Sequence, residues 1–568
     1  MGHTALGKLL TFLLFSILFA CTSENKEEFK FEGGTLNYAI DRAPFTDDLR
    51  SSYRLNSALL YSQIFEGLVA LDPKTLKTKP GLAEEWQISP DGKFITFILK
   101  DSVYFHQNNK QKEKIPFTAE DVVFSIEQSC TKTDKNQNTA YFLIFKDKLK
   151  GANDFYNKVN DHITGLKASG NSIQLELLER DVNFLPKLSL PMASIVSKEA
   201  FEDQKELIGT GPFQYNSQEK DDQEKYILVR NENYHEVDQE GNTLPYLDSI
   251  VFHLIPDKLE QLKMFKSGKL HLIENIPPHE MSAMLGEENI EKFNGIPPKY
   301  LLTREPLYST QYYYFDFNDS LFHDINLRKA INLAINRDEI ISTVLNNQAI
   351  DIDDSGLIPN GIFNGYNTEI ASKNNYVYDA QKAKQFFRRV ESVKIDKFPT
   401  IVISPRKGST NFMVAQKIAE QLAQTLNIEV EVKTNPSDTS HVIAQAPQII
   451  KNKSPESYLT TANSHKIPED SRVTSLINFS KYSNEKYDML LSKGRKSKDI
   501  VARYDAFEAA ESELMKNPPY IILWHNKKIK IQSSALRNFE INELERPNFK
   551  KVYIKEWTAE EWQQQKKD

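Results

Sequence analysis

Between residues 400 and 432 the chain spells out a strand, a helix and a second strand, and this unit limits the possible folds more than any other stretch. "TIVIS" (400–404) is an apolar strand-like run, and "PRKGST" is a loop. Val414, Ile418, Leu422 and Leu426 then recur at helical spacing, and "IEVEV" (428–432) alternates as a strand does. A crossover of this length implies parallel pairing with a right-handed connection. Ligands of such sheets collect beyond the carboxyl ends of the strands. That makes Arg406 or Lys407 a candidate for an anionic ligand group, with solvated loop cations as the plainer reading.

Other local signals agree with an α/β chain. In "EWQISPDGKFITFIL" (85–99), Ser89-Pro90-Asp91-Gly92 separates two strand-like runs, a hairpin signature. Thr118 with Asp121 three residues later forms a capping box ahead of "AEDVVFSIEQ". Cys130 continues the apolar series Ala119, Val122, Val123, Ile126, which predicts a buried thiol and not a nucleophile. In "INLRKAINLAINRDEIISTVL", Leu327, Ala330, Ile331 and Ala334 share one stripe, and Asn336 with Glu339 opens a second short helix. The glycines of Gly209-Thr210-Gly211-Pro212 predict a tight backbone bend, and Tyr61 and Phe65 share a helix face that packs into a core.

The N-terminus carries a different message. Lys8 precedes the apolar run Leu9–Phe19, which is too short to span a bilayer comfortably and is followed by the polar stretch "TSENKEE". This is the layout of a secretory signal. Leu18-Phe19-Ala20-Cys21 is similar to the lipobox of bacterial lipoproteins, with Phe19 departing from the usual small or aliphatic residue. The resemblance implies acylation at Cys21 and cleavage before it, leaving residues 21–34 as a charged leash on the periplasmic side of the inner or outer membrane.

Without residues 1–20 the chain still has about 550 residues, more than one core supports, so at least two lobes are expected. Lysines and arginines are dispersed and outnumbered by acids, 71 against 78, which argues against a nucleic-acid partner. No HExxH, nucleophile elbow, P-loop or dinucleotide fingerprint is present, so neither an enzyme nor a cofactor or metal site is expected.

Several stretches together resemble the family 5 extracellular solute-binding proteins, the substrate-capturing components of ABC importers for peptides, nickel and related solutes. They are "YSQIFEGLVALDP" from Tyr61, "PGLAEEWQISPDGKFITFILKDSVYFH" from Pro80, "FTAEDVVFSIE" from Phe117, "GTGPF" from Gly209, "YFDFN" from Tyr314, "LRKAINLAINRDEI" from Leu327, "IPNGIFNGY" from Ile358, "YVYDAQKAKQFF" from Tyr376, "YSNEKYDMLL" from Tyr482 and "PPYIILWH" from Pro518. The resemblance spans nearly all of the chain beyond its leader. It implies a two-lobed α/β fold of the periplasmic-binding-protein type (type II, cluster C), with an extra β-rich subdomain in the first lobe. The expected divisions are lobe I at 35–70, the inserted subdomain at 71–179, lobe I again at 180–277, lobe II at 278–519 and a lobe I return at 520–568. Hinge crossings are expected near 274–278 and 518–522. A monomer, a peptide or similar small solute, and ABC permease subunits complete the expectation.

The resemblance also implies site residues. In peptide-binding members an aspartate after an aromatic anchors the ligand's α-amino group. The corresponding stretch here is "YLTTANSHKIPED", with Thr460 at the aromatic position and Asn463 at the aspartate position. Tyr458, Thr460, Ala462, Asn463 and His465 are the expected wall, and Asp470 is a possible compensating acid. Tyr141 and Phe142 of "KNQNTAYF" match the family segment that lends an aromatic to the cleft, while Asn318 closes "YFDFN" at the expected lobe border. Trp524 and His525 are expected to pack the hinge. A surface interaction or chaperone-like protein on the same fold, without small-ligand transport, is the competing reading that Asn463 raises.

Overall fold

The computed structural model describes residues 33–44, 49, 55–107, 113–132, 139–201, 207–216, 225–274, 276–391, 398–436, 440–446, 453–467, 477–540 and 547–565. Cys21 and Asp470 lie outside them.

The first lobe is built on a sheet in which strand Thr35–Ile40 runs parallel to Ser249–Leu254, followed by antiparallel Lys225–Arg230 and Phe213–Tyr215. Helix Leu55–Ile64 buries Tyr61, Ile64 and Phe65 against this sheet in one core with Leu36, Phe213 and Phe252. The "GTGPF" loop seats against the end of that helix. A Cβ on Gly209 would lie 2.0 Å from the Ile64 carbonyl oxygen, and one on Gly211 would lie 2.5 Å from that of Gln63. The chain bends at Thr210–Pro212 as expected, but neither glycine has a positive φ, so what they supply is room for close backbone contact.

The β-rich subdomain is a four-stranded antiparallel sheet in the order Ala83–Ile88, Phe94–Leu99, Ser172–Glu176, Leu166–Ser169. Its hairpin forms where the sequence places it. Gly92 has φ +74°, and Ser89 Oγ accepts from the Phe94 N–H at 2.9 Å. Helix Ala119–Ser129 starts at the predicted capping box, with the Thr118 N–H donating to Asp121 Oδ2 at 2.9 Å. Its apolar face covers the sheet together with Cys130, whose thiol burial pushes well above the ordinary range, consistent with an inert core thiol.

The larger sheet runs from the first lobe into the second, in the order Leu272–Glu274, Tyr520–Ser533, Tyr300–Phe315, Val442–Gln445, Ile401–Ser404, Val430–Val432. The predicted strand, helix and strand pair in parallel, Ile401 opposite Val430, and helix Ser409–Leu426 buries Val414, Ile418, Leu422 and Leu426 between them. Helices Ile325–Ala334 and Arg337–Thr343 are separate, as predicted, and Asn336 Oδ1 accepts from the Glu339 N–H at 3.1 Å to start the second.

The two long strands, Tyr300–Phe315 and Tyr520–Ser533, connect different cores. Tyr300, Ile529 and Ile531 pack with Leu262 and Phe265, whereas Tyr313, Phe315, Ile521 and Leu523 pack with the second-lobe helices. Their ladder is interrupted between Pro306 and Thr310 and again between Gln311 and Tyr312. His525 sits at this break, 2.9 Å from Thr310 Oγ1 through Nδ1 and 2.7 Å from Ser355 Oγ through Nε2. Trp524 is buried beside it.

Two predictions follow from this packing. Gly209→Ala forces a methyl group into a carbonyl oxygen that cannot move without the helix behind it, so urea denaturation should show a loss of about 3 kcal/mol. Glu511, buried on helix Ile500–Lys516, accepts from the Ile358 N–H and the Tyr366 hydroxyl, both at 2.8 Å. Burial outweighs these bonds and pushes its carboxyl up to about 7. A raised acid favours the folded state while protonated, and that contribution is lost as pH rises from the ordinary carboxylate range through about 7. Glu511→Gln should therefore be nearly neutral at pH 5 and stabilising by up to about 2–3 kcal/mol at pH 8, read as a growing difference in Tm.

Candidate functional site

Ser454 caps a short helix, Pro455–Leu459, which tightens into one 3₁₀ turn at Thr460–Ala462 and another at Ser464–Lys466. The winding sorts the predicted wall residues. Tyr458 and Ala462 turn into the second-lobe core, where the Tyr458 ring lies 6.4 Å from that of Phe363. Thr460, Asn463 and His465 turn the other way. With Ser457 and Lys466 they border a cavity of about 200 Å³, whose opposite wall comes from the subdomain through Leu143, Lys146, Lys148, Glu179 and Lys187. Helix Glu485–Lys496 adds Asp488 and Arg495.

One buried carboxylate ties the two walls together. Glu456 is 1 % exposed. Its Oε1 accepts from Arg495 Nε at 2.6 Å and lies 3.6 Å from Lys187 Nζ, and its Oε2 accepts from Asn183 Nδ2 at 2.5 Å. Burial alone would raise its pKa, but Lys187 and Arg495 outweigh it and hold the carboxyl far below the usual range. Around it, Lys148 pairs with Asp181 at 3.2 Å and Lys496 with Glu179 at 3.1 Å. Lys466 reaches across to donate to the Phe142 carbonyl at 2.5 Å. Its ammonium is disfavoured first by burial and then by Arg495 and Lys187, so its pKa falls well below the ordinary lysine value.

Asn463 is 1 % exposed and its orientation is fixed. The His465 backbone N–H is a donor 3.0 Å from Oδ1, so the side-chain oxygen points at the turn, with His465 Nδ1 a further 3.2 Å neighbour. The Asn463 carbonyl is occupied as well, accepting from Asn478 Nδ2 at 3.1 Å.

The remaining sequence candidates lie elsewhere. Tyr141 is not an exposed loop aromatic: it belongs to a π-helical turn, Tyr141–Phe145, stacks on Tyr156 at 3.9 Å and donates to Asn153 Oδ1 at 3.0 Å. Phe142 is half-buried, with Lys146 Nζ 5.4 Å over its ring. Arg406 is half-buried past the end of strand Ile401–Ser404, its N–H donating to Gln445 Oε1 at 2.8 Å. Asn318 is exposed in a turn, its N–H bonded to Asp316 Oδ1 at 2.9 Å. Neither Arg406 nor Asn318 borders the cavity. Glu456, Lys187, Lys466 and Arg495 carry no local motif, since the cluster exists only once segments some 300 residues apart converge.

Glu66, His235 and Glu236 are the one group among the described residues with metal-ligand atoms gathered, within 4.8 Å of one another. Protein donors already fill it. Tyr234 and Thr210 donate to Glu66 at 2.9 and 3.0 Å, His235 Nε2 lies 2.9 Å away, and Lys550 pairs with Glu236. The arrangement fastens the "GTGPF" loop and needs no ion.

Comparison with known proteins gives the fold its context. The family of bacterial extracellular solute-binding proteins, family 5 Middle, matches residues 77–484. The dipeptide-binding protein of Escherichia coli K12 is 24% identical over 551 residues, covering 92% of this chain and 94% of that protein. A periplasmic binding protein from Helicobacter pylori, DppA, solved with the peptide STSA, superposes with a TM-score of 0.77 at 23% identity, covering 93% of this chain and 100% of that one. NikZ from Campylobacter jejuni, solved with Ni(L-His), gives a TM-score of 0.66 at 19% identity, covering 89% and 95%. With two α/β lobes, an inserted β-rich subdomain and a match across most of its length, the chain belongs to family 5 of the bacterial extracellular solute-binding proteins.

Proposed function

We propose that the protein captures peptides in the cavity between the subdomain and the second lobe, closes around them, and delivers them to an ABC permease. The observation that carries this reading is the wall-to-wall contact at Glu456, where groups from both sides of the cavity meet in one buried network. Charged side chains are costly to bury unless paired, so this network favours the closed arrangement once both walls are together. A ligand held by both walls adds to the same preference, and closure follows as a shift of populations.

The lobe limits proposed with this scheme extend the subdomain from 71–179 to include Asn183 and Lys187, whose neighbours Phe184 and Leu188 lie in its core, and move the lobe border from 278 and 519 into the long strands, because Tyr300, Ile529 and Ile531 pack with Leu262 and Phe265. Flexing is assigned to the interrupted ladder at Pro306–Thr310, where the long strands pass between cores and the bonds that would resist bending are missing. The protein acts as a monomer without enzymatic chemistry, tethered through a lipid on Cys21. No helix among the described residues is long and apolar enough to cross a membrane.

Native mass spectrometry of gently purified protein tests the reading. Peptide adducts, together with a thermal shift on re-adding the same peptides to stripped protein, are the expected result. Unliganded protein whose melting is unchanged by a broad di- to pentapeptide library contradicts it.

A further inference from the structure

A hairpin joins strand Val69–Leu71 to strand Thr78–Pro80, and its base is rooted in the β-rich subdomain, where Val69 lies in the core. Its tip is closed by Asp72. Asp72 Oδ1 accepts from the Thr75 N–H at 2.7 Å, the Thr75 hydroxyl at 2.9 Å and the Lys74 N–H at 3.2 Å, and the Asp72 carbonyl accepts from the Leu76 N–H at 2.9 Å. The turn is therefore held by its own residues, whatever lies opposite.

Leu76 is unusual in two respects. Its φ is +55°, and among the described residues it is the one apolar side chain set on a left-handed backbone. That conformation is costly for a residue with a Cβ and suits glycine or asparagine. Leu76 is also 4% exposed although Thr75 and Lys77 on either side of it are exposed. The core it joins is not that of its own hairpin but the second lobe's, with Tyr308, Phe363 and Tyr458, and Leu71 packs half-buried against the same group. Lys453 marks the seam: its Nζ donates to the Thr75 carbonyl at 3.2 Å and lies 5.9 Å over the Tyr308 ring. A strained backbone persists where its surroundings hold it, and here part of those surroundings belongs to the other side of the molecule.

We propose that Leu76 is an apolar peg, which seats in the second lobe as the walls close and leaves it as they part. This rests on the peptide-capture reading and names a residue that adjusts closure without choosing among ligands, since Leu76 does not border the cavity at Asn463. Contacts at the cavity decide which peptide is held. Leu76 adds the same increment to all of them, because apparent affinity scales with the fraction of protein in the binding-competent state. Tyr308 lies in the interrupted stretch of the long strand to which flexing is assigned, so the peg sits close to the pivot and stays near its socket when the lobes part. A side chain this short is uncovered by a displacement of about its own length, so a modest rotation suffices.

Thiol labelling tests the movement. Leu76→Cys should react with a polyethylene-glycol maleimide in ligand-stripped protein, and a saturating di- to pentapeptide library should slow the reaction at least about tenfold. Lys74→Cys, exposed at the same tip, should react equally fast in both, and the unsubstituted protein sets the background from Cys21 and the buried Cys130. If Leu76→Cys is as protected as Cys130 with and without peptide, or as reactive with bound peptide as without it, the inference is overturned. Leu76→Gly accepts the left-handed backbone without strain, so the hairpin stays formed while the peg is lost. Calorimetric Kd values for whichever of Ala-Ala-Ala, Ala-Glu-Ala and Ala-Lys-Ala bind should each rise about tenfold, with factors that agree within about threefold. Unchanged Kd values, or rises that differ more widely among the peptides, also contradict it. If no peptide binds, the capture reading fails by itself. Labelling of Leu76→Cys in folded, ligand-free protein then still supports the peg, and protection equal to that of Cys130 still overturns it.

Discussion

Glu456 is the constraint on which the arrangement of the walls depends. An isolated carboxylate so deeply enclosed would be driven to take up a proton, yet Arg495 from its own lobe and Lys187 and Asn183 from the subdomain keep it ionised. Lys187 and Asn183 supply their share of that compensation from across the cavity. Separating the walls would return Lys187 and Asn183 to water and leave Glu456 with Arg495 alone, a pair that hydration can then support.

Much of the scaffold was legible in the sequence because its signals are local. The hairpin at Ser89–Gly92, the capping box at Thr118 and Asp121, the renewed cap at Asn336 and the parallel unit at 400–432 each depend on residues within a few turns of one another, and each forms where expected. The glycines of "GTGPF" illustrate a limit. Composition marks them as special, but only the fold reveals that their purpose is contact with the Gln63 and Ile64 carbonyls and not a left-handed turn. The candidate site was legible in part. Of the stretch at 458–465, Thr460, Asn463 and His465 border the cavity. Which of its residues reach the cavity depends on how a helix tightens to 3₁₀ geometry, and a six-residue run such as "YLTTAN" does not determine that phase. Glu456, Lys187, Lys466 and Arg495 were invisible because nothing in their immediate neighbourhoods distinguishes them from solvated charges.

Family membership supplies the class of activity, and the residues at the cavity supply its particulars. The fold holds both a supporting framework and a surface that can vary independently of it. The Glu66 network, the buried Arg337 and the His525 bonds stabilise the framework and do not border the cavity at Asn463. The Asn463 wall borders the cavity, and its side-chain oxygen is held by the turn that follows.

The central claim, that the walls close upon a bound peptide, is tested most directly by measuring their separation in solution. Spin labels at Lys167→Cys on the subdomain and Lys493→Cys on the second lobe occupy exposed positions, and Cys130 is buried. Double electron–electron resonance should give a longer, broader distance distribution for ligand-stripped protein and a shorter, narrower one with saturating peptide. An unchanged distribution in the presence of demonstrably bound peptide would contradict the account.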